Sequence, residues 1–297
     1  MWVRVDDHGA ADLHCHTTFS DGRSPLDLCV RAAEAEGLAV LAITDHLYEP
    51  GRLSGGRSLD DYLAAIEAAQ QRTTVRLLRG VETTALDAAG TPAIDAKTRA
   101  RLELVLCDLG GRTVGVFRDA PADEVGFFEQ LRRCLTGLCE NPLVDVLAHP
   151  FNVGRLGRGL APDTLPRSLV EEVCAAAAAH STAFEVMNDL PWWFPEVPVA
   201  RVTDGYAAVV AVAAERGCRF TLGSDAHHHQ GVGHLTWARR VLEQARVPAS
   251  QIVRPAGRPP EQPAGPPEQP AGPPEQPAGP PEQPAGPPEQ PAGPPEQ

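Results

Sequence analysis

Seven short, nearly unbroken apolar runs recur along this chain, and a segment with helical spacing follows each of them. The runs are "ADLHCH" (11–16), "LAVLAITDH" (38–46), "VRLLRGVE" (75–82), "LELVLC" (102–107), "LVDVLAH" (143–149), "AFEVMN" (183–188) and "CRFTLGSDAH" (218–227). Runs of this kind suit strands buried on both faces of a parallel sheet. The intervening stretches carry helix signals. Ser24-Pro25 opens one with an apolar stripe at Leu26, Cys29, Val30 and Ala33 and a stop at Gly37, and Ser58–Gln71 carries another with Leu59, Tyr62, Leu63 and Ile66 facing inward. A polar loop and short helix precede the fourth run. Further helices are predicted over 122–139, 168–180, 202–216 and 235–246. Strict alternation of strand and helix implies an α/β fold with right-handed crossovers, either doubly wound or closed into a barrel.

The placement of polar residues decides between the two. Asp12, His14 and His16 fall near the end of the first run, Asp45 and His46 end the second, and Glu82 ends the third. His149 ends the fifth, Glu185 lies in the sixth, and Asp225 and His227 end the seventh. In a closed barrel such positions share one rim, where barrel enzymes place their chemistry, whereas in an open sheet they would be strung along an edge. No G-x-G-x-x-G follows the first strand. The expected fold is therefore a distorted, TIM-like, seven-stranded (β/α)7 barrel.

The segment "ADLHCHTTFSDG" (11–22) is the densest of these positions. Alternation along a strand would point Asp12, His14 and His16 one way and Leu13 and Cys15 the other, so that two imidazoles could grip one ion. A lone H-x-H can equally be a pair of surface or hydrogen-bonded core histidines. Taken together, His14, His16, Asp21, His46, Glu82, His149, Glu185, Asp225 and His227 form a nitrogen and carboxylate donor set suited to Zn²⁺, Mn²⁺ or Fe. They are too many for one ion.

Composition narrows the partners. From Pro259 the sequence repeats "PPEQPAG" five times and stops after a final "PPEQ", material that cannot bury enough surface to offset its ordering entropy. We therefore expect one folded domain over 1–254 and a disordered, partly polyproline-II tail over 255–297. Setting aside the six tail glutamates leaves a formal charge of −7 on residues 1–258, which argues against nucleic acid and anionic membranes as partners. The seven cysteines are odd in number, contain no C-x-x-C and sit in apolar runs, as expected of buried thiols in a reducing cytoplasm. Neither a charged start followed by an apolar run nor a stretch of about 18 apolar residues appears, so a soluble cytoplasmic protein is the expectation.

The motifs together resemble those of the polymerase and histidinol phosphatase (PHP) superfamily of metal-dependent phosphoesterases. The matching residues are "DLHCHTTFSDG", "ITDH", "GVE", "AHP" and "GSDAH", spread over about residues 11–230. The resemblance implies a distorted seven-stranded β/α barrel with two or three divalent ions at the C-terminal ends of its strands. It assigns His14, His16, Glu82 and Asp225 to one ion, with Glu82 bridging to a second held by His149, and Asp21, His46 and His227 to a third. One position departs from the pattern. Such families place a histidine just after the fourth strand, whereas this chain reads "VLCDLGG" and has Gly110 there, so the second site is either empty or completed by Asp108, Glu185 or water.

Divalent ions lower the pKa of bound water toward ~7 and polarise substrate oxygens, which suits hydrolysis of phosphate esters. The expected activity is a phosphatase or phosphoesterase acting on a small phosphomonoester or nucleotide. A nuclease of the same superfamily, a non-phosphate hydrolase and a non-catalytic metal-stabilised protein are the alternatives. "HPFNVGRLGRG" places Arg155 and Arg158 beside His149, where a guanidinium fork suits phosphate oxygens or, alternatively, a solvated loop. Asp45 precedes a ligand and is expected to orient it or accept a proton. "PWWFP" (191–195) is expected to wall the pocket, Cys15 to pack outward, and at least one of His228 and His229 to be solvated.

Overall fold

The computed structural model describes residues 2–4, 10–111, 114–156 and 160–256. The chain divides into a unit over Met1–Pro260 and another over Glu261–Gln297. The PPEQPAG repeats and Arg158 lie outside the described residues.

In chain order the strands are β1 (Trp2–Arg4), β2 (Ala11–Asp12), β3 (Val40–Ile43), β4 (Arg76–Thr84), β5 (Leu104–Asp108), β6 (Val146–Leu147), β7 (Ala183–Met187), β8 (Phe220–Gly223) and β9 (Val253–Pro255). The α-helices are α1 (Leu26–Ala35), α2 (Leu59–Gln70), α3 (Ala96–Arg99), α4 (Glu124–Glu140), α5 (Arg167–His180), α6 (Val199–Glu215) and α7 (Thr236–Gln244). Strands β2 to β8 form one parallel sheet in sequence order. The ring closes because the Leu13 N–H donates to the Leu222 carbonyl at 2.9 Å and Cys15 bridges Ala226 in parallel. The expected seven-stranded barrel is the observed one. The short antiparallel pair β1–β9 lies outside that sheet and was not expected.

Three helix starts carry a capping side chain. Ser58 accepts from the Asp61 N–H at the head of α2, Asp95 from Thr98 at α3, and Asp123 from Gly126 at α4. The stripe Leu26, Cys29, Val30, Ala33 of α1 is buried against the sheet, as its spacing predicts.

Period-two alternation sorts the strand residues into two layers. Leu41, Ile43, Leu77, Val81 and Val105 face the helices, while Val40, Ala42, Leu78, Leu104, Leu106, Val146, Ala148 and Ala183 form a separate inner cluster. The same alternation carried toward the C-terminal ends places Glu82, Asp108 and Glu185 on the inner face above that apolar floor. All three are buried. All seven cysteines are buried and free. Among the described residues no helix is long and apolar enough to cross a membrane.

One local expectation fails. Leu13 joins the inner cluster while Cys15 packs against α1 and α2, so the two do not share a face. Asp12 does not point with His14 either, because its carboxylate accepts the backbone N–H groups of His14, Ser224 and Gly233. The regular strand ends at Asp12, and beyond it the period of two no longer applies.

Candidate metal centre

The rim at the C-terminal strand ends gathers the predicted donors. His14 Nε2 lies 3.0 Å from His16 Nε2, 3.3 Å from Glu82 Oε2 and 3.5 Å from Asp225 Oδ1. His16 Nε2 is in turn 3.5 Å from that Glu82 oxygen and 3.1 Å from that Asp225 oxygen. Four donors about 2.0–2.1 Å from a common Zn²⁺ would stand about 3.3 Å apart, the edge of a tetrahedron of that radius. Five of the six spacings, 3.0 to 3.5 Å, bracket that edge, and within this set His14, His16 and Glu82 bring their donor atoms within 4.8 Å of one another.

A second group adjoins it. Asp21 Oδ2 is 3.2 Å from His227 Nε2 and 3.6 Å from His46 Nε2, and Asp21 Oδ1 is 3.7 Å from His16 Nδ1. His16 Nδ1 is buried without a hydrogen-bond partner, which is costly unless something else satisfies it, while His46 Nδ1 lies 3.0 Å from Glu82 Oε2. A third corner holds His149 Nε2 at 3.0 Å from Glu82 Oε1, with Asp108 close by.

Neighbouring groups fix which nitrogen of each ring faces the centre. Glu185 Oε1 accepts from His14 Nδ1 at 2.7 Å and Oε2 from the His149 backbone N–H at 2.6 Å, leaving His14 Nε2 for the cluster. His227 Nδ1 donates to the Asp225 carbonyl at 2.9 Å, which leaves its Nε2 facing Asp21. The approach of Glu185 to His14 needs a glycine. A Cβ on Gly223 would lie 2.2 Å from Glu185 Oε1 and 2.5 Å from the His14 Cβ. The chain also leaves β6 and β8 through non-glycine residues at positive φ, His149 (29°) and Asp225 (57°), strain of the kind that clusters at functional sites.

The electrostatics are those of a crowded anionic centre. Burial opposes a charged His14, yet Glu185, Glu82 and Asp225 hold its imidazole well above the ordinary range. Burial also opposes charge on His46 and His227, but Glu82 raises the first to about 10 and a hydrogen bond with Asp21 raises the second to about 9. The same contacts, acting against burial, hold Glu82 and Asp225 well below the usual carboxylate range. Burial and the neighbouring His46 push His16 down, so it is a neutral donor. With protons as the only cations, the histidines carry the positive charge that balances Asp21, Glu82 and Asp225. Divalent ions would replace those protons, and the spacings and the unpartnered His16 Nδ1 fit them.

The remaining predicted residues are placed as follows. The Asp45 carboxylate accepts from Thr17 N–H (2.8 Å), Thr17 Oγ1 (2.8 Å) and Ser20 Oγ (2.6 Å), so it braces the loop that carries Asp21. Arg155, in the short 3₁₀ turn Val153–Leu156, donates from Nη1 to Asp108 Oδ2 at 2.8 Å and lies 5.2 Å over the Trp193 ring. Trp192 of the same "PWWFP" stretch is exposed and lines a groove with Pro191, Phe194 and Trp237. His229 is held by Ser24 through its backbone N–H and Nδ1, and His228 is exposed. Tyr48 escaped the sequence reading. Its ring stacks on His46 with centroids 5.1 Å apart, and a single aromatic two positions after His46 carries no periodic signal.

Comparison with known proteins agrees with this geometry. The chain is 27% identical over 246 residues to a protein of Caldanaerobacter subterraneus subsp. tengcongensis named a probable phosphatase, covering 82% of this chain and 85% of that one. It is 25% identical over 252 residues to another so named from Acetivibrio thermocellus, covering 82% and 89%. Among solved structures it is similar to the histidinol phosphate phosphatase of Lactococcus lactis, crystallised with zinc, L-histidinol and phosphate. The TM-score is 0.58 at 17% identity, covering 82% of this chain and 98% of that one. The PHP domain profile matches residues 12–230, and the chain belongs to the PHP domain family.

Proposed function

We propose that this PHP-domain protein, a metal-dependent phosphoesterase, hydrolyses a small phosphomonoester at the rim formed by β2 to β8. The observation that carries the reading is the convergence of Glu82 Oε2 and Asp225 Oδ1 on the paired His14 Nε2 and His16 Nε2, each carboxylate oxygen 3.1 to 3.5 Å from both nitrogens. Relatives named probable phosphatases along most of the chain support the phosphate class. Likeness to a histidinol phosphate phosphatase supports a small substrate.

His14, His16, Glu82 and Asp225 would hold one ion and Asp21, His46 and His227 another. When bound, divalent ions supply a water-derived nucleophile at neutral pH and offset charge on the phosphoryl oxygens. Water then attacks phosphorus, the ester P–O bond breaks, and the alcohol leaves with a proton. The chain's own residues arrange this event. Glu185 keeps His14 in the tautomer that presents Nε2, and Asp45 fixes the loop of Asp21 through Thr17 and Ser20. Among the described residues the guanidinium nitrogens of Arg155 not bonded to Asp108 find no acceptor, so they are available to phosphate oxygens.

The test is phosphate release from a panel of nucleotides, sugar phosphates and amino-alcohol phosphates by metal-loaded protein. Turnover of at least one member is expected, reduced at least about 100-fold in His14→Ala or Asp225→Ala, since a lost ligand should cost no less than a lost supporting residue. Metal-loaded protein inert across the panel would contradict the reading.

A further inference from the structure

The corner of Glu82, Asp108 and His149 is built differently from the other two donor groups. Asp108 is buried, and both of its oxygens are engaged: Oδ2 by Arg155 Nη1 at 2.8 Å and Oδ1 by the Gly110 N–H at 2.8 Å. Glu185, the other nearby carboxylate, accepts one hydrogen bond on each oxygen, from His14 Nδ1 and from the His149 N–H, and so is turned toward those two residues. What remains at this corner is His149 Nε2 and Glu82 Oε1, 3.0 Å apart and bonded to each other. Two protein donors are one fewer than catalytic zinc sites ordinarily keep.

The backbone excludes a replacement. Gly110 has φ +69°, and a Cβ there would lie 2.2 Å from the Val114 carbonyl oxygen and 2.6 Å from the Gly115 Cα. No side chain fits at the exit of β5, so a ligand cannot come from that position. The arginine is a stable occupant. Its guanidinium stays protonated, rests on the Trp193 ring at 5.2 Å and is only 19% exposed, so it is held in place on two sides.

We infer that Arg155 takes the place of a metal ion in this chain: a fixed guanidinium neutralises Asp108 beside Glu82 and His149, and metal is held only by the other two donor groups. The inference rests on the phosphoesterase reading and fixes its metal count at two. A divalent ion at the third corner would face the arginine's charge with Asp108 already claimed.

The experiment is elemental analysis of the full chain after equilibration with Zn²⁺ and desalting. The unaltered protein should retain two ions per chain. Arg155→Met, which frees Asp108 and removes the competing charge, should retain three, whereas Arg155→Lys should stay at two. Asp108→Asn with Arg155→Met should also stay at two, because the freed ligand is gone. This double variant shows that a third ion depends on Asp108 and not on a loosened fold, which a thermal melt of each variant checks. Three ions in the unaltered protein, or two in Arg155→Met, would overturn the inference and leave the phosphoesterase reading standing. No retained metal at all would instead sink that reading.

Discussion

Two sides of the same barrel mouth handle charge in opposite ways. Where β2 meets β8, Glu82 and Asp225 each approach the paired His14 and His16 nitrogens to between 3.1 and 3.5 Å, and no arginine or lysine enters the group. Where β5 meets β6, Asp108 is already neutralised by Arg155, and Gly110 leaves no room for another donor. On the proposal above, one side is completed by an ion from solution and the other by the chain. Donor residues near a rim are thus not enough to make a metal site. Each must keep an atom that its neighbours have not already claimed.

The largest effect that would sharpen this contrast is at Glu185, which serves both sides. Glu185→Gln keeps the size of the side chain but removes the charge facing His14 Nδ1, and supporting residues of this kind typically cost 10–100-fold in metal affinity. A titration of metal-free protein should show that loss at the β2–β8 site, and unchanged affinity would break the assignment. Gly223→Ala tests the packing beneath. Its Cβ would stand 2.2 Å from Glu185 Oε1 and 2.5 Å from the His14 Cβ, so a loss of about 1–3 kcal/mol is expected from overpacking. Thermal or denaturant unfolding measures it, and a neutral outcome would show that Glu185 can move aside.

The smallest effect is pH dependence of the metal-free protein. His46 and His227 have folded pKa values raised to about 10 and about 9, above an unfolded value near 6.5. Between those values the folded state holds more protons than the unfolded state, so their stabilisation, complete below about pH 6.5, is lost as pH rises toward 10. Melting temperature of metal-free protein should therefore fall from pH 7 to 10. Added metal should recover more stability at the alkaline end, because bound ions displace those protons. A melting temperature that rises with pH in metal-free protein would contradict the charge balance described above.

Much of this was legible in the sequence because barrel strands report twice, through apolar runs and through the acid or histidine that ends most of them. Leu26, Cys29, Val30 and Ala33 announced the buried face of α1, and His46, Glu82, His149 and Asp225 announced the rim. The residues that escaped did so for physical reasons. The β1–β9 pair joins Trp2–Arg4 to Val253–Pro255, segments of three residues at opposite ends of the described chain and too short for any periodicity. Asp12 and Leu13 departed from the expected faces because the regular strand stops at Asp12, while Cys15 packs outward as expected. The role of Glu185 depends on distances to His14 and His149 that spacing along the chain does not encode. The pairing of Arg155 with Asp108 likewise joins residues 47 positions apart.

The most direct measurement is anomalous diffraction at the zinc edge from crystals grown with Zn²⁺. A peak within coordination distance of His14 Nε2, His16 Nε2, Glu82 and Asp225 is the predicted result. A map with no peak there, and those two nitrogens still about 3 Å apart across an unfilled centre, would contradict the account.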